Sequence, residues 1–238
     1  MATDSSVALS LSGLRLARGR STVFDGLSLR LAQRRIALIG DNGAGKTSLL
    51  RLLAGLESAS AGTLETHGLR LGLMFQNPDD QIIFPTVEEE VALGFEGRGQ
   101  RRRDAVQAAR AWLGERGLAH WAERAVGSLS QGQRQYLCWL SLLASGPDWL
   151  LLDEPFASLD LPGQALLRAE LARVDQPMVL ATHMLGQVLD FDRAIWIEQG
   201  RVKADGSPRE ICAAYQAEVA ARVAARGQER FADPELFH

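Results

Sequence analysis

Cysteine is scarce: Cys138 and Cys212 are the two in the chain, far apart, and Cys138 lies in an apolar run. Two residues so placed give no disulfide framework. They fit a reducing compartment such as the cytosol, with Cys138 read as a buried thiol. Long apolar runs are missing as well, since no uninterrupted stretch approaches the ~18 residues of a membrane-spanning helix. The opening residues, MATDSSVALSLSG, lack the basic segment and apolar core of a secretory signal. Any service to a membrane is therefore expected from its cytoplasmic side, peripherally and through another chain. Nor is there an excess of one charge: the formal net charge is -3, which gives no global electrostatic reason to expect nucleic acid or an anionic lipid surface as partner. Internal repeats and low-complexity linkers are also absent. The basic run GRGQRRR, residues 97–103, precedes a helical pattern and reads as a solvated loop, with nucleic acid or lipid contact as the alternative.

Apolar residues are plentiful, 46% of 238, enough for one large domain or a core with a subdomain. Residues 7–16 and 27–31 alternate apolar with polar or small side chains, so an antiparallel sheet is expected to open the chain. Four later segments are apolar throughout. They are RIALIG ending at Gly40, LRLGLMFQ ending near Gln76, DWLLLDEP ending at Asp153 and Glu154, and PMVLATH ending at His183. Strands buried on both faces that deliver polar residues at their C-terminal ends describe a parallel α/β sheet with its ligand along that edge. Between the second and third strands, residues 77–146 carry helical patterns at 103–113 and 131–144 and no strand pattern, which predicts an inserted helical subdomain. Beyond Ile211 the Ala-rich sequence is helix-prone before it turns into a polar tail.

The loop GDNGAGKTSLL carries the first chemistry. Gly40, Gly45, Lys46 and Thr47 fit GxxxxGK[ST], with Asp41, Asn42, Gly43 and Ala44 between the glycines and Ser48 following. The glycines let backbone N–H groups converge on phosphate at a helix N-terminus; Lys46 reaches the β- and γ-phosphates, and Thr47 offers its hydroxyl to Mg²⁺. A buried strand before the loop and a helical pattern after it supply the required context, so a nucleoside triphosphate is the expected ligand. At the end of WLLLDE, Asp153 is placed to hold Mg²⁺ through water, and the adjacent Glu154 to polarise an attacking water. Ser130 is a good N-cap for a helix from about Gln131, and Gly132 allows close backbone approach, so a second phosphate site is possible there. Alone, a Ser-x-Gly helix start is a weak signal.

In combination, the Walker A loop, LSQGQ in place of LSGGQ, LLLDEP and ASLD resemble the nucleotide-binding subunits of ABC transporters, over residues 7 to about 211. The resemblance implies an α/β P-loop NTPase. Residues 1–76 and 147–211 form its RecA-like ATP-binding core with an antiparallel β subdomain, residues 77–146 a helical subdomain carrying the signature, and residues 212–238 a C-terminal helical tail. It further implies a head-to-tail dimer in which Ser130, Gly132 and Gln133 of one subunit meet ATP held by Lys46 of the other. At matching positions Gln76 is the Q-loop glutamine, a ligand of Mg²⁺ with Thr47 and Asp153; residues 158–160 are the D-loop, and His183 is the switch histidine that acts with Glu154 and Gln76 in hydrolysis. His67, His120 and His238 have no such context. Two positions depart from the family pattern. Arg18 stands where an aromatic residue usually stacks on adenine, either as a guanidinium that stacks instead or as a solvent-facing loop residue. Gln131 replaces the first signature glycine, which should spare the phosphate contacts of Ser130 and Gly132.

The segment FQNPDDQIIFPTVEEEVALG, residues 75–94, is similar to the Q-loop region of energy-coupling-factor ATPases, which work with a membrane coupling protein and a small substrate-capture protein to import vitamins or transition-metal ions. Asp79, Asp80 and Glu88 to Glu90 are expected to form an acidic surface open to arginines of the coupling protein. The stretches LRLAQRRIALIGDNGAGK and FDRAIWIEQGRVKADGSP resemble most the ATPases of biotin transporters, so biotin is implied by resemblance alone, with cobalt, nickel or another vitamin as the alternative. Glu198 and Asp205 flank a hairpin-like turn and are read as fold features. A soluble ABC ATPase acting on nucleic acid is a rival of a different class, supported by residues 101–103; a P-loop kinase leaves LSQGQ unexplained. Glu154 and the signature both being intact favours a homodimer.

Overall fold

The computed structural model describes residues 8–19 and 21–232, with side chains as far as residue 225. Val7, His238 and the end of the polar tail lie outside the described residues. The early alternation becomes two long strands, β1 (Leu9–Arg18) and β2 (Ser21–Leu31), paired antiparallel with Leu9 opposite Leu31 and Leu16 opposite Phe24. The second strand begins well before the alternating stretch 27–31. Among its first six residues only Phe24 is buried, and one buried side chain gives no period to read. β3 (Arg35–Ile39) follows, then α1 (Lys46–Leu53), and β4 (Ala61–Glu65) returns to the free edge of β1. β4 carried no sequence signal because none of its residues is fully buried.

β5 (Leu71–Met74) precedes α2 (Val87–Glu96), α3 (Arg102–Glu115) and α4 (Gln131–Ala144). β6 (Trp149–Asp153), α5 (Leu161–Arg173), β7 (Met178–Ala181), the hairpin of β8 (Arg193–Glu198) and β9 (Arg201–Gly206), and α6 (Pro208–Ala232) complete the order. The second sheet runs β5-β6-β7-β3-β8-β9, parallel except for its last pair. Four of these strands were legible as apolar runs. β8 gave no apolar-run signal because RAIWIE mixes charge with apolar residues, although Ala194 to Ile197 are buried; the hairpin-like turn expected at EQGR is the one that joins β8 to β9.

Successive residues of these strands enter opposite cores, as a two-residue period demands. Ile36, Leu38, Leu151 and Val179 pack with α1 and the antiparallel sheet; Ala37, Ile39, Leu150, Leu152 and Leu180 pack with α4, α5 and α6. A third core, with Val87, Val91, Ala105, Ala109, Leu113, Leu137 and Leu140, is built by α2, α3 and α4 together with Ala122, Val126 and Leu129 of the segment between α3 and α4. Both cysteines are buried and free, and burial pushes the Cys138 thiol up to about 12, too high for a reactive thiolate. Asp205 pairs with Arg193, and Glu198 with Lys203, so both acids serve the β8–β9 hairpin. No helix among the described residues is long and apolar enough to cross a membrane.

Candidate active site

Because β5, β6, β7 and β3 are parallel neighbours, the residues that follow them arrive along one sheet edge in the order Gln76, Asp153 with Glu154, His183, Gly40. They line a cleft of about 800 Å³ together with Arg18, Asp41, Asn42, Gly43, Gly45, Lys46, Thr47 and Ser48. Ala44 sits just behind this wall, buried, its carbonyl accepting from Gly200 N at 3.0 Å, so the β8–β9 turn braces the loop. Two glycines are required by geometry. A Cβ at Gly40, where φ is 143°, would run into the carbonyl of Ile197; one at Gly45, where φ is 111°, would stand 2.8 Å from the Phe24 ring.

Lys46 is buried, and its ammonium donates to the carbonyls of Gly40 (2.8 Å) and Asp41 (3.1 Å) inside the loop. Burial draws its pKa below the ordinary lysine value, opposed by the charges of Glu154, Asp153 and Asp41. Burial likewise raises the Asp153 pKa, with Thr47 hydrogen bonding against it and Glu154 adding to it. A carboxylate desolvated in this way gains from a cation beside it. Thr47, Gln76 and Asp153 offer hydroxyl, amide and carboxylate oxygens, the hard donors that suit Mg²⁺.

Glu154 is buried and holds a left-handed φ of 47°, a conformation that costs a non-glycine residue about 1–2 kcal/mol. It is fixed there by Glu154 N donating to the Ala181 carbonyl at 2.9 Å. Its carboxylate accepts from His183 N at 3.2 Å and lies 2.9 Å from His183 Nδ1. The ends of β6 and β7 thus deliver a carboxylate and an imidazole already in contact. Arg18 reaches the cleft wall, but its guanidinium is ion-paired with Glu57.

Ser130, Gly132 and Gln133 lie elsewhere, in a second groove of about 740 Å³ shared with Ser158, Leu159 and Asp160. Ser130 caps α4: its hydroxyl accepts from Gln133 N at 3.2 Å, and its own N–H donates to the Gln133 side chain at 3.1 Å. The side chain of Gln133 therefore serves the cap. Gln131, the departure from glycine, donates to the Ser158 hydroxyl at 3.2 Å and ties the signature turn to the segment after Glu154.

The acidic surface expected beside Gln76 forms only in part: Asp79 and Asp80 are exposed, whereas Glu88 and Glu90 are buried and Glu89 is half-buried. Glu90 turns inward to accept from Ile83 N and Phe84 N, both at 2.9 Å, and buried Glu88 takes a bidentate pair from Arg110 at 2.5 and 2.8 Å. Glu89 accepts from Thr86 at 2.7 Å and Asp79 from Arg134 at 2.9 Å. Read as charges on a surface, these residues concealed an amphipathic helix, α2, whose acids support its own N-terminus. What faces outward here is Ile83, 72% exposed, with Pro85 and the carboxylates of Asp79 and Asp80. Glu90→Ala is expected to lower unfolding stability by about 2–3 kcal/mol, since two backbone donors lose their acceptor; Asp80→Ala should stay within about 0.5 kcal/mol. Urea denaturation of the two variants checks the contrast. In the basic run, Arg102 is taken up by Glu96 at 2.7 Å and by the face of Phe84 at 4.2 Å.

Sequence reasoning missed Tyr215, which enters the cleft wall from α6, and Arg222 one face-repeat further on. Their spacing of seven on a helix was a usable signal, hidden among alanines.

A family model described as ABC transporter matches residues 24–157. A biotin transport ATP-binding protein, BioM, of Rhodobacter capsulatus is 44% identical over 219 residues, covering 87% of this chain and 94% of the relative. The protein of the same description in Rhizobium etli is 33% identical, covering 85% and 95%. Among solved structures, cbiO1 from Clostridium perfringens, part of the ABC transporter complex cbiONQ, superposes with a TM-score of 0.71 at 25% identity, covering 92% of this chain and 94% of that one.

Proposed function

Since the chain belongs to the ABC transporter family, as an ATP-binding and ATP-hydrolysing subunit, we propose that it powers an energy-coupling-factor importer whose cargo is biotin. The similarity to biotin transport ATP-binding proteins along most of both chains is the observation that carries the cargo. No residue of the cleft argues for it, because a capture protein rather than the ATPase would select the vitamin. The chain would work at the cytoplasmic side of the membrane, bound to a coupling protein.

Within the subunit, the loop from Gly40 to Ser48 grips the phosphates, Lys46 neutralises them, and Glu154 takes a proton from the attacking water while His183 orients its carboxylate. Thr47, Gln76 and Asp153 would hold Mg²⁺, which supplies charge neutralisation on the phosphate oxygens when bound. Ser130 and Gly132 serve the cleft of a second copy facing head to tail. Their separation into another groove supports this reading, as does the presence of every part in one chain, which favours a homodimer. Ile83 beside the Q-loop is the natural contact for a helix of the coupling protein by apolar packing, with exposed Asp79 and Asp80 next to it as the acids still open to arginines.

Affinity purification in mild detergent from a membrane fraction tests the assembly. The expected result is recovery of a membrane coupling chain and a small, very hydrophobic chain that retains biotin. Retained cobalt or nickel would overturn the cargo, and a preparation bound to nucleic acid would overturn the importer.

A further inference from the structure

We propose that Arg222 and Tyr215 of α6 form a clamp on Asp41 that sets the affinity of the phosphate loop for ATP. Asp41 is the second residue of that loop, and a carboxylate there is a puzzle. The loop gathers N–H dipoles and the Lys46 ammonium for a polyanion, and the Asp41 charge lies close enough to act on Lys46. Left alone, it would repel the ligand that the loop collects.

The structure answers the charge from another element. Arg222 takes the carboxylate with two donors, at 2.5 Å to Oδ2 and 3.2 Å to Oδ1, and the Tyr215 hydroxyl donates to Oδ1 at 2.7 Å. Burial and the Asp41 hydrogen bond push the Tyr215 phenol up to about 12, so it remains a donor at any physiological pH. Tyr215 is itself held edge-on to Trp196 of β8, with centroids 5.1 Å apart, and between the two clamp residues Glu218 takes Lys203 of β9 at 2.5 Å. One face of α6, residues 215, 218 and 222, is thus pinned to the sheet edge behind the loop. The Arg222 side chain is 42% exposed and that of Asp41 44%, and so open a pair contributes little to folding. Its consequence lies in what Asp41 stands beside. With Arg222 in place the loop presents no uncompensated negative charge, and the carboxylate is turned to α6 while its carbonyl accepts from Lys46. Arg222 is accordingly a positioning residue, acting on ATP through Asp41.

The inference rests on ATP being held by this loop, and it is independent of membrane partner and cargo. Its test is ATP titration and steady-state hydrolysis by the full chain. Arg222→Ala is expected to raise Kd and KM for ATP about tenfold, one like-charge interaction at the loop, with kcat retained and Arg222→Lys restoring part of the loss. Asp41→Asn alters the loop itself and serves as the background of a double-mutant comparison: adding Arg222→Ala to it should cost no further affinity, because the charge to be answered is gone. Tyr215→Phe, which keeps the ring against Trp196, should give a smaller rise and guards against a variant that fails to fold. Unchanged Kd in Arg222→Ala, or an equal loss in the Asp41→Asn background, overturns the clamp. Failure of the unaltered chain to bind ATP would instead overturn the function on which it rests.

Discussion

Exchange of Glu154 for glutamine is expected to reduce ATP turnover by about 10²- to 10⁴-fold, the usual contribution of a general base, while ATP binding is kept. The substitution preserves volume and leaves an oxygen to accept from His183 N, so the left-handed turn at the end of β6 has no new reason to rearrange. What is lost is the group that takes a proton from water. Because ATP then persists in the cleft, and because closure of two copies is proposed to depend on ATP rather than on its products, the variant should accumulate as a dimer in ATP with Mg²⁺. Size-exclusion chromatography with and without nucleotide reads the second effect, and phosphate release reads the first. Turnover at the normal rate would remove Glu154 from the role of base; slow turnover without dimer would keep the base and remove ATP-driven closure.

The sheet edge was legible in the sequence because the parallel strands announce themselves twice. RIALI and WLLLD are apolar on both faces, so no periodicity has to be guessed, and each ends abruptly in glycine or acid. Order along the edge was not legible, since strand neighbours such as β7 and β3 are 139 residues or more apart in the chain and are set by packing. The charged segments misled most. Glu88 and Glu90 looked like surface because acids usually are, whereas the loop before α2 offers Glu90 two backbone donors and α3 offers Glu88 the Arg110 guanidinium. Arg18 was placed at the cleft, but its partner Glu57 comes from the turn after α1, where nothing in the sequence points back. The clamp on Asp41 was invisible for the same reason: its two halves are 174 and 181 residues apart.

Lys46→Ala should abolish measurable ATP binding, and with it every later step. The ammonium is buried at the centre of the loop, where its interaction with phosphate is screened far less than at the surface. Removing it takes away about 2–4 kcal/mol or more of charge-assisted hydrogen bonding, at least a thirtyfold to thousandfold loss of affinity. A second effect complicates a naive reading. The carbonyls of Gly40 and Asp41 lose the donor that gathers them, so the loop loosens and stability falls by about 1–2 kcal/mol. Binding and folding must therefore be separated. Thermal unfolding with and without ATP and Mg²⁺ does so, because a ligand of the folded state raises Tm by an amount set by its concentration over Kd. The unaltered chain should show that rise and Lys46→Ala none, from a slightly lower starting Tm. Lys46→Met, which refills the space without charge, should recover the starting Tm in part and still show no rise. An ATP-dependent shift of normal size in either variant would mean that the phosphates are held elsewhere than in the loop from Gly40 to Thr47.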